Sequence, residues 1–382
     1  MGALTSKLRN SQRPKKILTL DGGGIRGILT LGMLKKIENL VRLQEKDPNL
    51  VLGNYYDLIS GTSTGAIIAS ALAIGKSVDE IIKLYKSLGE EIFDAGRKHK
   101  FFKRNWTGLR AIFNENYDSD KLEKYLKDTF KEIEIGDSDK IKCGLAINCK
   151  RADTYSLWTV TNHPDGKYYE ANSHLKLWEL CRASGAAPYY FKPKKLTLKT
   201  RAGESFEATF IDGGVSLANN PAWQTFLVAT VPSFGYKWKS GINDIHITSL
   251  GTGNGLKKED PSELESLRSL SWAPKLSDLF MVDALEMNQI IMDAFGYNKG
   301  EKVIVDSQFD DLDKLEYIKQ QDKLFTFIRH NVILTNDSLK KIGIILNDDQ
   351  IESIKQMDYS ENIDLLLEIG EKYAENNIKD IL

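Results

Sequence analysis

The sequence contains little cysteine and little histidine. Three cysteines (Cys143, Cys149 and Cys181) are too few for a disulfide framework in a chain of 382 residues. Five scattered histidines show none of the ligand spacings of a structural zinc site. These absences disfavour a disulfide-rich secreted domain and a zinc-stabilised one. We therefore expect a reduced, cytoplasmic protein with no metal and no other cofactor.

The sequence also lacks a charge excess and a long apolar segment. It has 52 basic and 53 acidic residues, which disfavours a dedicated nucleic-acid-binding protein. The longest apolar stretch, residues 66–74, is interrupted by Ser70 and is far shorter than the roughly 20 residues that span a bilayer. Apolar residues 17–20 end at Asp21, too early for a secretory signal. Residues 1–6 match an N-myristoylation pattern that is short and common by chance.

Proline is scarce as well, with nine in the chain, and no Pro- or Ser-rich linker divides it. Short β-rich segments alternate with segments of helical periodicity, which predicts a mainly parallel sheet covered by helices on both faces. We expect a polar segment (1–16), one α/β domain (17–335) and a helical C-terminal extension (336–382). The predicted strands are residues 15–20, 55–60, 142–148, 157–161, 208–211 and 244–250.

The segment Gly61-Thr62-Ser63-Thr64-Gly65 fits the G-x-S-x-G pattern of a nucleophile elbow. In an elbow, a sharp turn between a strand and a helix exposes the serine hydroxyl, and glycines two positions away relieve the crowding. The sequence predicts a strand before this segment and a buried helix after it. A structural βα turn is the alternative, but the context favours Ser63 as a nucleophile.

Residues 21–27, Asp-Gly-Gly-Gly-Ile-Arg-Gly, follow the first predicted strand and precede a helix. Consecutive glycines let backbone N–H groups approach an oxyanion or a phosphate at a helix N-terminus. A dinucleotide-binding loop also needs an acidic residue at the end of the next strand, but Glu45 and Asp47 lie in a polar loop. An oxyanion site is therefore favoured, with a glycine turn that binds nothing as the alternative.

A candidate base for Ser63 lies in residues 210–214 (Phe-Ile-Asp-Gly-Gly), where Asp212 ends a predicted strand. Taken alone, an Asp-Gly pair is more often a turn. His246 is the competing base, because the order Ser63, Asp212, His246 is that of α/β-hydrolases. His246 lies inside a predicted strand rather than on a loop, so we expect it to be a hydrogen-bonded core residue.

In this order, the three segments resemble the pattern of the patatin-like phospholipases: a DGGG-x-[RK]-G loop, a GTSTG elbow and a later DG[GA]. Residues 181–191 (CRASGAAPYYF) resemble the R-A-[ST]-x-A-A-P-x-Y-F segment of that family. Residues 219–221 (Asn-Asn-Pro) and 249–253 (SLGTG) are similar to two further family segments. The resemblance extends over residues 17–255.

The resemblance implies a three-layer α/β/α sandwich and a Ser–Asp dyad, with Ser63 as nucleophile and Asp212 as general base. The implied oxyanion donors are the backbone amides of Gly22, Gly23, Gly24 and Thr64. The implied supporting residues are Arg26, Gly27, Gly61, Gly65, Gly213 and Gly214. Because an unperturbed aspartate titrates near pH ~3.9, the dyad requires burial of Asp212 or a very tight contact with Ser63.

Residues 97–106 combine five basic and three aromatic residues. Such a mixture suits an anionic lipid surface, with rings at the headgroup boundary and cations on the phosphates. A solvated loop whose rings turn inward is the alternative. The predicted membrane-contact residues are Phe101, Phe102, Lys103, Arg104 and Trp106.

The resemblance implies a lipid acyl hydrolase that cleaves phospholipid or lysophospholipid esters while peripherally attached to a membrane. One alternative is a general esterase acting on other acyl lipids. Another is an effector phospholipase switched on by a nucleotide second messenger, although no sensor site is recognisable in the sequence. A binding module without turnover is disfavoured because Ser63 and Asp212 are both present.

Overall fold

A mixed β-sheet forms the centre of the fold in the computed structural model, which describes residues 3–9, 14–89, 92, 117–188, 190–255, 260–265, 269–300, 314–320 and 322–382. Its strands are β1 (Lys15–Leu20), β2 (Leu58–Thr62), β3 (Gly144–Arg151), β4 (Leu157–Thr161), β5 (Lys194–Lys199), β6 (Ser205–Asp212), β7 (Ile245–Leu250), β8 (Gly296–Asn298) and β9 (Phe325–His330). They lie in the order β5-β6-β3-β2-β1-β7-β9-β8, with β4 paired to β3.

The middle of this sheet is parallel. β1 pairs in parallel with β2 and β7, and the parallel pairing continues to β3 on one side and to β9 and β8 on the other. β4, β5 and β6 add antiparallel pairs on the β3 side. β2 is buried along its whole length, as expected for a strand covered on both faces. The predicted mainly parallel sheet is confirmed.

Helices form the outer layers of a three-layer α/β/α sandwich. They are α1 (Ala3–Arg9), α2 (Gly27–Glu45), α3 (Leu52–Tyr55), α4 (Thr64–Ala73), α5 (Val78–Leu88), α6 (Ser119–Phe130), α7 (Tyr169–Asn172), α8 (Leu177–Ser184), α9 (Ala222–Thr230), α10 (Pro261–Glu265), α11 (Ser269–Phe295), α12 (Glu316–Gln320), α13 (Asn336–Lys341), α14 (Asp348–Ile354) and α15 (Ile363–Asn377). Within the described ranges, none of these helices combines the length and the apolar character needed to cross a membrane.

The bounds of α5 follow directly from its sequence. Ser77 and Glu80 form a capping box, in which Ser77 Oγ accepts the N–H of Glu80 and Glu80 Oε2 accepts the N–H of Ser77. The buried residues of the helix recur at helical spacing and face α2 and α4. They are Val78, Ile81, Ile82, Tyr85 and Leu88. This packing brings Tyr85 to the loop that follows β1.

The predicted C-terminal helical extension is confirmed, and it packs directly on the domain. α15 crosses α2 where both helices carry a glycine. A Cβ at Gly370 would lie 2.2 Å from the carbonyl oxygen of Leu29, and one at Gly32 would lie 2.8 Å from that of Leu367. Because these distances exclude any side chain, the two glycines allow the helix backbones to touch.

The predicted strand over residues 55–60 is wrong at its start. The strand β2 begins at Leu58, whereas Tyr55 ends the short helix α3. The two tyrosines, which favour strands by propensity, are instead buried side by side, with the rings of Tyr55 and Tyr56 5.2 Å apart and nearly perpendicular. Tertiary packing therefore overrides local propensity at this point.

Candidate active site

The pairing of three strands brings Ser63 and Asp212 together. β2 pairs with β3 as far as Thr62, which lies opposite Asn148, and β6 pairs with β3 from Asp212, which lies opposite Cys149. β4 occupies the other edge of β3, so β2 and β6 lie end to end along the same edge. The end of β6 therefore meets the point where the chain turns out of β2.

Ser63 occupies this turn in a conformation that residues other than glycine rarely adopt, with φ 54° and ψ −122°. Glycine is required on both sides of it. A Cβ at Gly61 would lie 2.1 Å from the carbonyl oxygen of Gly65, and one at Gly65 would lie 2.2 Å from that of Leu20. The G-x-S-x-G segment thus forms the sharp turn between β2 and α4. Backbone strain of this kind is frequent at active sites, where the surrounding structure imposes it.

The side chains of Ser63 and Asp212 are in direct contact. Ser63 Oγ donates to Asp212 Oδ2 at 2.6 Å, and Asp212 Oδ1 accepts the backbone N–H of Gly214 at 2.6 Å. Burial raises the pKa of Asp212 to about 6, although these hydrogen bonds act in the opposite direction. The buried carboxylate is therefore a stronger base than an exposed aspartate. Both conditions named for a dyad, burial and a tight contact, are met.

The raised pKa of Asp212 predicts a pH-dependent activity. We expect kcat/KM for a soluble ester to rise with pH through about 6 and then to level off, because the carboxyl must be deprotonated to accept the serine proton. Below this pKa, each pH unit should lower kcat/KM about tenfold. Initial rates and circular dichroism measured at each pH separate titration from unfolding. An inflection near the ordinary aspartate value of 3.8 would contradict a base held in this environment.

The glycine loop, residues 21–24, lies at the carboxyl end of β1. Its first residue, Asp21, forms a buried ion pair with Arg329 of β9, at 2.8 Å from Nη1 to Oδ1 and 2.5 Å from Nη2 to Oδ2. Arg329 Nη1 also donates to Ser249 Oγ at 2.8 Å. Burial raises the pKa of Asp21, and the charge of Arg329 opposes this change. The ion pair anchors the start of the loop to β7 and β9.

Backbone contacts narrow the set of predicted oxyanion donors. The N–H of Gly22 donates to the carbonyl oxygen of Asn219 at 3.1 Å, so this donor is engaged within the protein. A Cβ at Gly22 would lie 3.3 Å from Ser63 Cβ, which places the loop directly beside the serine. Gly23 packs on Thr252, whose Oγ1 would lie 2.1 Å from a Cβ at Gly23. This leaves the backbone amides of Gly23, Gly24 and Thr64 as the candidate oxyanion donors.

Tyr85 links the glycine loop to the N-terminus of α4. Its hydroxyl forms hydrogen bonds with Thr64 Oγ1 and with the carbonyl oxygen of Gly24. Gly27 leaves room for this contact, because a Cβ there would lie 2.6 Å from both Thr64 Oγ1 and the Tyr85 hydroxyl. Burial raises the pKa of Tyr85, so the phenol remains a neutral donor. The loop and the elbow are thus held as one unit.

The C-terminal extension contacts the other side of the glycine loop. Ile25 N–H donates to the carbonyl oxygen of Met357 at 2.8 Å, and Arg26 Nη1 donates to that of Lys355 at 3.2 Å. Gly24 has φ 58°, and a Cβ there would lie 2.3 Å from the Met357 carbonyl oxygen. Arg26 was predicted as a supporting residue of the loop. It is buried, and its hydrogen bond with Lys355 ties the loop to the C-terminal extension.

Gly213 and Gly214 allow the chain to pass closely behind the carboxylate. A Cβ at Gly213 would lie 2.4 Å from the carbonyl oxygen of Asn148, and one at Gly214 would lie 3.0 Å from Asp212 Oδ1. A side chain at Gly213 would therefore displace β3, and one at Gly214 would crowd Asn219 Oδ1 at 2.8 Å as well as the carboxylate.

His246 lies at the opposite end of the sheet from this site. In the parallel pair of β1 and β7, His246 is opposite Lys16, whereas Leu250 is opposite Leu20 at the end that leads into the glycine loop. Four residues of strand correspond to about 13 Å. Burial lowers the pKa of His246, and a hydrogen bond with the backbone of Ile242 acts in the opposite direction. His246 is therefore placed as a structural residue.

The predicted membrane-contact residues lie outside the described residues. They are Phe101, Phe102, Lys103, Arg104 and Trp106. Gly2, the acceptor in the myristoylation pattern, also lies outside them.

Two residues of the site were not predicted from the sequence. Arg329 offered a signal, since an arginine that directly follows the β-rich residues 325–328 (Phe-Thr-Phe-Ile) requires a partner if it is buried. Ser184 lies in the R-A-S segment, but nothing in that pattern indicates a contact with Ser63. In the structure, Ser184 Oγ accepts the backbone N–H of Ser63 at 2.8 Å.

Ester cleavage by a serine requires a hydroxyl in contact with a base, next to backbone amides that face the developing charge. Ser63 contacts Asp212 beside a glycine loop, at the carboxyl edge of the sheet in a three-layer α/β/α sandwich. This arrangement is that of a serine-dependent hydrolase. The family model for patatin-like phospholipase matches residues 18–226. The chain belongs to this family, which confirms the predicted family and enzyme class.

Several curated proteins are similar to the chain. The cGAMP-activated phospholipase of Vibrio cholerae is 27% identical over 282 residues, covering 72% of this chain and 74% of that protein. Patatin-15 of Solanum tuberosum is 26% identical over 263 residues, 68% of this chain and 65% of its own length, so just under two thirds of that relative is spanned. Probable inactive patatin-like protein 9 of Arabidopsis thaliana is 24% identical over 301 residues, 77% of this chain and 75% of that protein.

Proposed function

We propose that this protein is a lipid acyl hydrolase that cleaves carboxylic esters of membrane phospholipids or lysophospholipids. The observation that carries the proposal is the 2.6 Å hydrogen bond from Ser63 Oγ to the buried carboxylate of Asp212. Because the chain belongs to the patatin-like phospholipase family, the substrate that is best supported is a lipid ester. One similar protein has "Probable inactive" in its name, and the intact pair of Ser63 and Asp212 supports turnover in this chain.

In the proposed mechanism, Ser63 attacks the ester carbonyl carbon while its proton passes to Asp212 Oδ2. The carbonyl oxygen becomes an oxyanion and accepts hydrogen bonds from the backbone amides of Gly23, Gly24 and Thr64. Collapse of the tetrahedral intermediate expels the alcohol, which takes the proton from Asp212 and leaves an acyl group on Ser63. Asp212 then deprotonates a water molecule that attacks the acyl carbon, and it passes this proton to Ser63 Oγ as the fatty acid leaves, which restores both residues.

The position of α4 supports this charge distribution. The helix begins at Thr64, directly after the nucleophile, so its free N–H groups and its dipole favour negative charge beside Ser63. Asp212, at the end of β6, contacts Ser63 Oγ as the proton acceptor.

A nucleotide-activated effector phospholipase is the alternative with specific support, because the similar protein of Vibrio cholerae is named as activated by cGAMP. In this alternative, the activator is a small nucleotide second messenger and the reaction is unchanged. A general esterase acting on other acyl lipids is a further alternative. Peripheral attachment to the cytoplasmic face of a membrane through residues 97–106 remains part of the proposal.

An assay of fatty-acid release separates these functions. The substrates are phosphatidylcholine vesicles, lysophosphatidylcholine micelles and a soluble p-nitrophenyl ester, each with and without cGAMP, and Ser63→Ala serves as the blank. We expect release from the vesicles or micelles. Release only in the presence of cGAMP favours the effector, and hydrolysis of the soluble ester alone favours a general esterase. The absence of hydrolysis in every condition contradicts the proposal.

A further inference from the structure

A short segment at the end of α8 contacts both members of the candidate dyad. Ser184 Oγ accepts the backbone N–H of Ser63 at 2.8 Å. Two residues later, the carbonyl oxygen of Ala186 accepts the backbone N–H of Asp212 at 3.0 Å. Residues 184–186 therefore hold the backbones of the nucleophile and of the base relative to each other through two hydrogen bonds.

The Ser184 hydroxyl has a defined direction. It donates to the carbonyl oxygen of Asn148 at 2.6 Å, which leaves its lone pairs facing the N–H of Ser63. Ser184 and Asn148 are both fully buried, so water does not replace either partner. Asn148 is itself fixed by strand pairing opposite Thr62, the residue before the nucleophile. The hydroxyl thus connects the elbow to the strand that also pairs with Asp212.

The turn at Ser63 needs such a partner. A residue with φ 54° and ψ −122° is held in a strained conformation that persists only where neighbouring groups impose it. A buried N–H without an acceptor also favours a rearrangement that restores a hydrogen bond. Loss of the Ser184 hydroxyl would allow the turn to relax, and Ser63 Oγ would then move relative to Asp212.

We infer that Ser184 is a positioning residue for the reaction: its hydroxyl holds the backbone of Ser63 in the strained conformation that keeps Oγ against the carboxylate of Asp212. This inference rests on the proposed function, because it assigns a role within the same site. Ser184 contacts the nucleophile through the backbone and does not touch the reacting atoms.

The test compares Ser184→Ala and Ser184→Thr with a matched control, Ser70→Ala. Ser70 is also a fully buried serine, and its hydroxyl accepts a hydrogen bond from Cys181 Sγ at 3.3 Å. We measure kcat and KM on a soluble ester, the rate at which a fluorophosphonate labels Ser63, and thermal unfolding. We expect Ser184→Ala to lower kcat and the labelling rate about 10–100-fold, with KM unchanged. Ser184→Thr, which keeps a hydroxyl, should restore most of both rates, and Ser70→Ala should retain them.

The inference would be overturned if Ser184→Ala and Ser70→Ala lowered kcat and the labelling rate equally, in proportion to their loss of thermal stability. Removal of any buried hydroxyl would then have the same effect. Unchanged labelling in Ser184→Ala overturns it as well. If Ser184→Thr is destabilised, the comparison of the two alanine variants decides. If the probe labels Ser63 in the wild type and labels it equally fast in Ser184→Ala, only the positioning role is refuted. If the probe does not label Ser63 in the wild type, the proposed function and the inference are refuted together.

Discussion

Ser63→Ala is expected to lower ester hydrolysis by a factor on the order of 10⁴–10⁶ while unfolding at the temperature of the wild type. Alanine keeps the Cβ at the strained turn, and the backbone hydrogen bond to Ser184 Oγ is retained. The variant loses only the hydroxyl that contacts Asp212 and would carry the acyl group. Fatty-acid release gives the activity, and a fluorophosphonate probe followed by mass spectrometry of the labelled peptide identifies the nucleophile.

Ser70→Ala is the control for Ser63→Ala. Ser70 is a buried serine of α4, the helix that follows Ser63, and its hydroxyl accepts a hydrogen bond from Cys181. This control should be labelled and active. Labelling of Ser63→Ala on a different serine would transfer the nucleophile assignment to that residue. A common loss of folded protein in both variants would show that the activity loss reports stability rather than chemistry.

The elbow and the carboxylate are predictable from the sequence because their requirements are local. Gly61 and Gly65 are needed by the turn itself, where any Cβ would collide with nearby backbone. Asp212 stands at a strand end before two glycines, which is a pattern visible in the chain. The order of β2, β3 and β6 then brings the two together, in agreement with the Ser–Asp dyad that the patatin-like resemblance implies.

The anchoring of the glycine loop is not predictable in the same way, because its partners are remote in the chain. Asp21 and Arg329 are 308 residues apart, and neither residue alone identifies the other. The segment that carries Arg329 was not predicted as a strand, since its arginine and histidine interrupt an apolar pattern. The contacts of Ile25 and Arg26 with residues 355–357 depend on how α15 packs on α2.

The strand β5 (Lys194–Lys199) was missed for a different reason. Its residues alternate between buried and exposed, and its exposed positions carry lysine and threonine. Such alternation is the signature of a half-buried strand, but lysines are depleted in strands by propensity. The antiparallel pairing with β6 stabilises β5, so a contact outside the segment decides its structure.

Asp212→Asn is expected to lower activity by a factor on the order of 10⁴, whereas His246→Gln should remain within about tenfold of the wild type. Asparagine has the shape of aspartate but cannot take up a proton. If its oxygen keeps the hydrogen bond from Gly214, its NH₂ group faces Ser63 Oγ, where Asp212 Oδ2 now accepts. The acceptor needed for attack is then replaced by a donor.

His246→Gln tests the competing triad, in which loss of the histidine would be about as severe as loss of the serine because such residues act as a unit. The parallel register places His246 opposite Lys16, at the end of the sheet away from the elbow, so glutamine should alter only local packing. The variant should also keep the pH inflection near 6 that the raised pKa of Asp212 predicts. Since burial lowers the pKa of His246, an inflection that disappears in His246→Gln would assign the titration to the histidine. A folded but inactive His246→Gln, together with an active Asp212→Asn, would replace the dyad by a histidine-dependent mechanism.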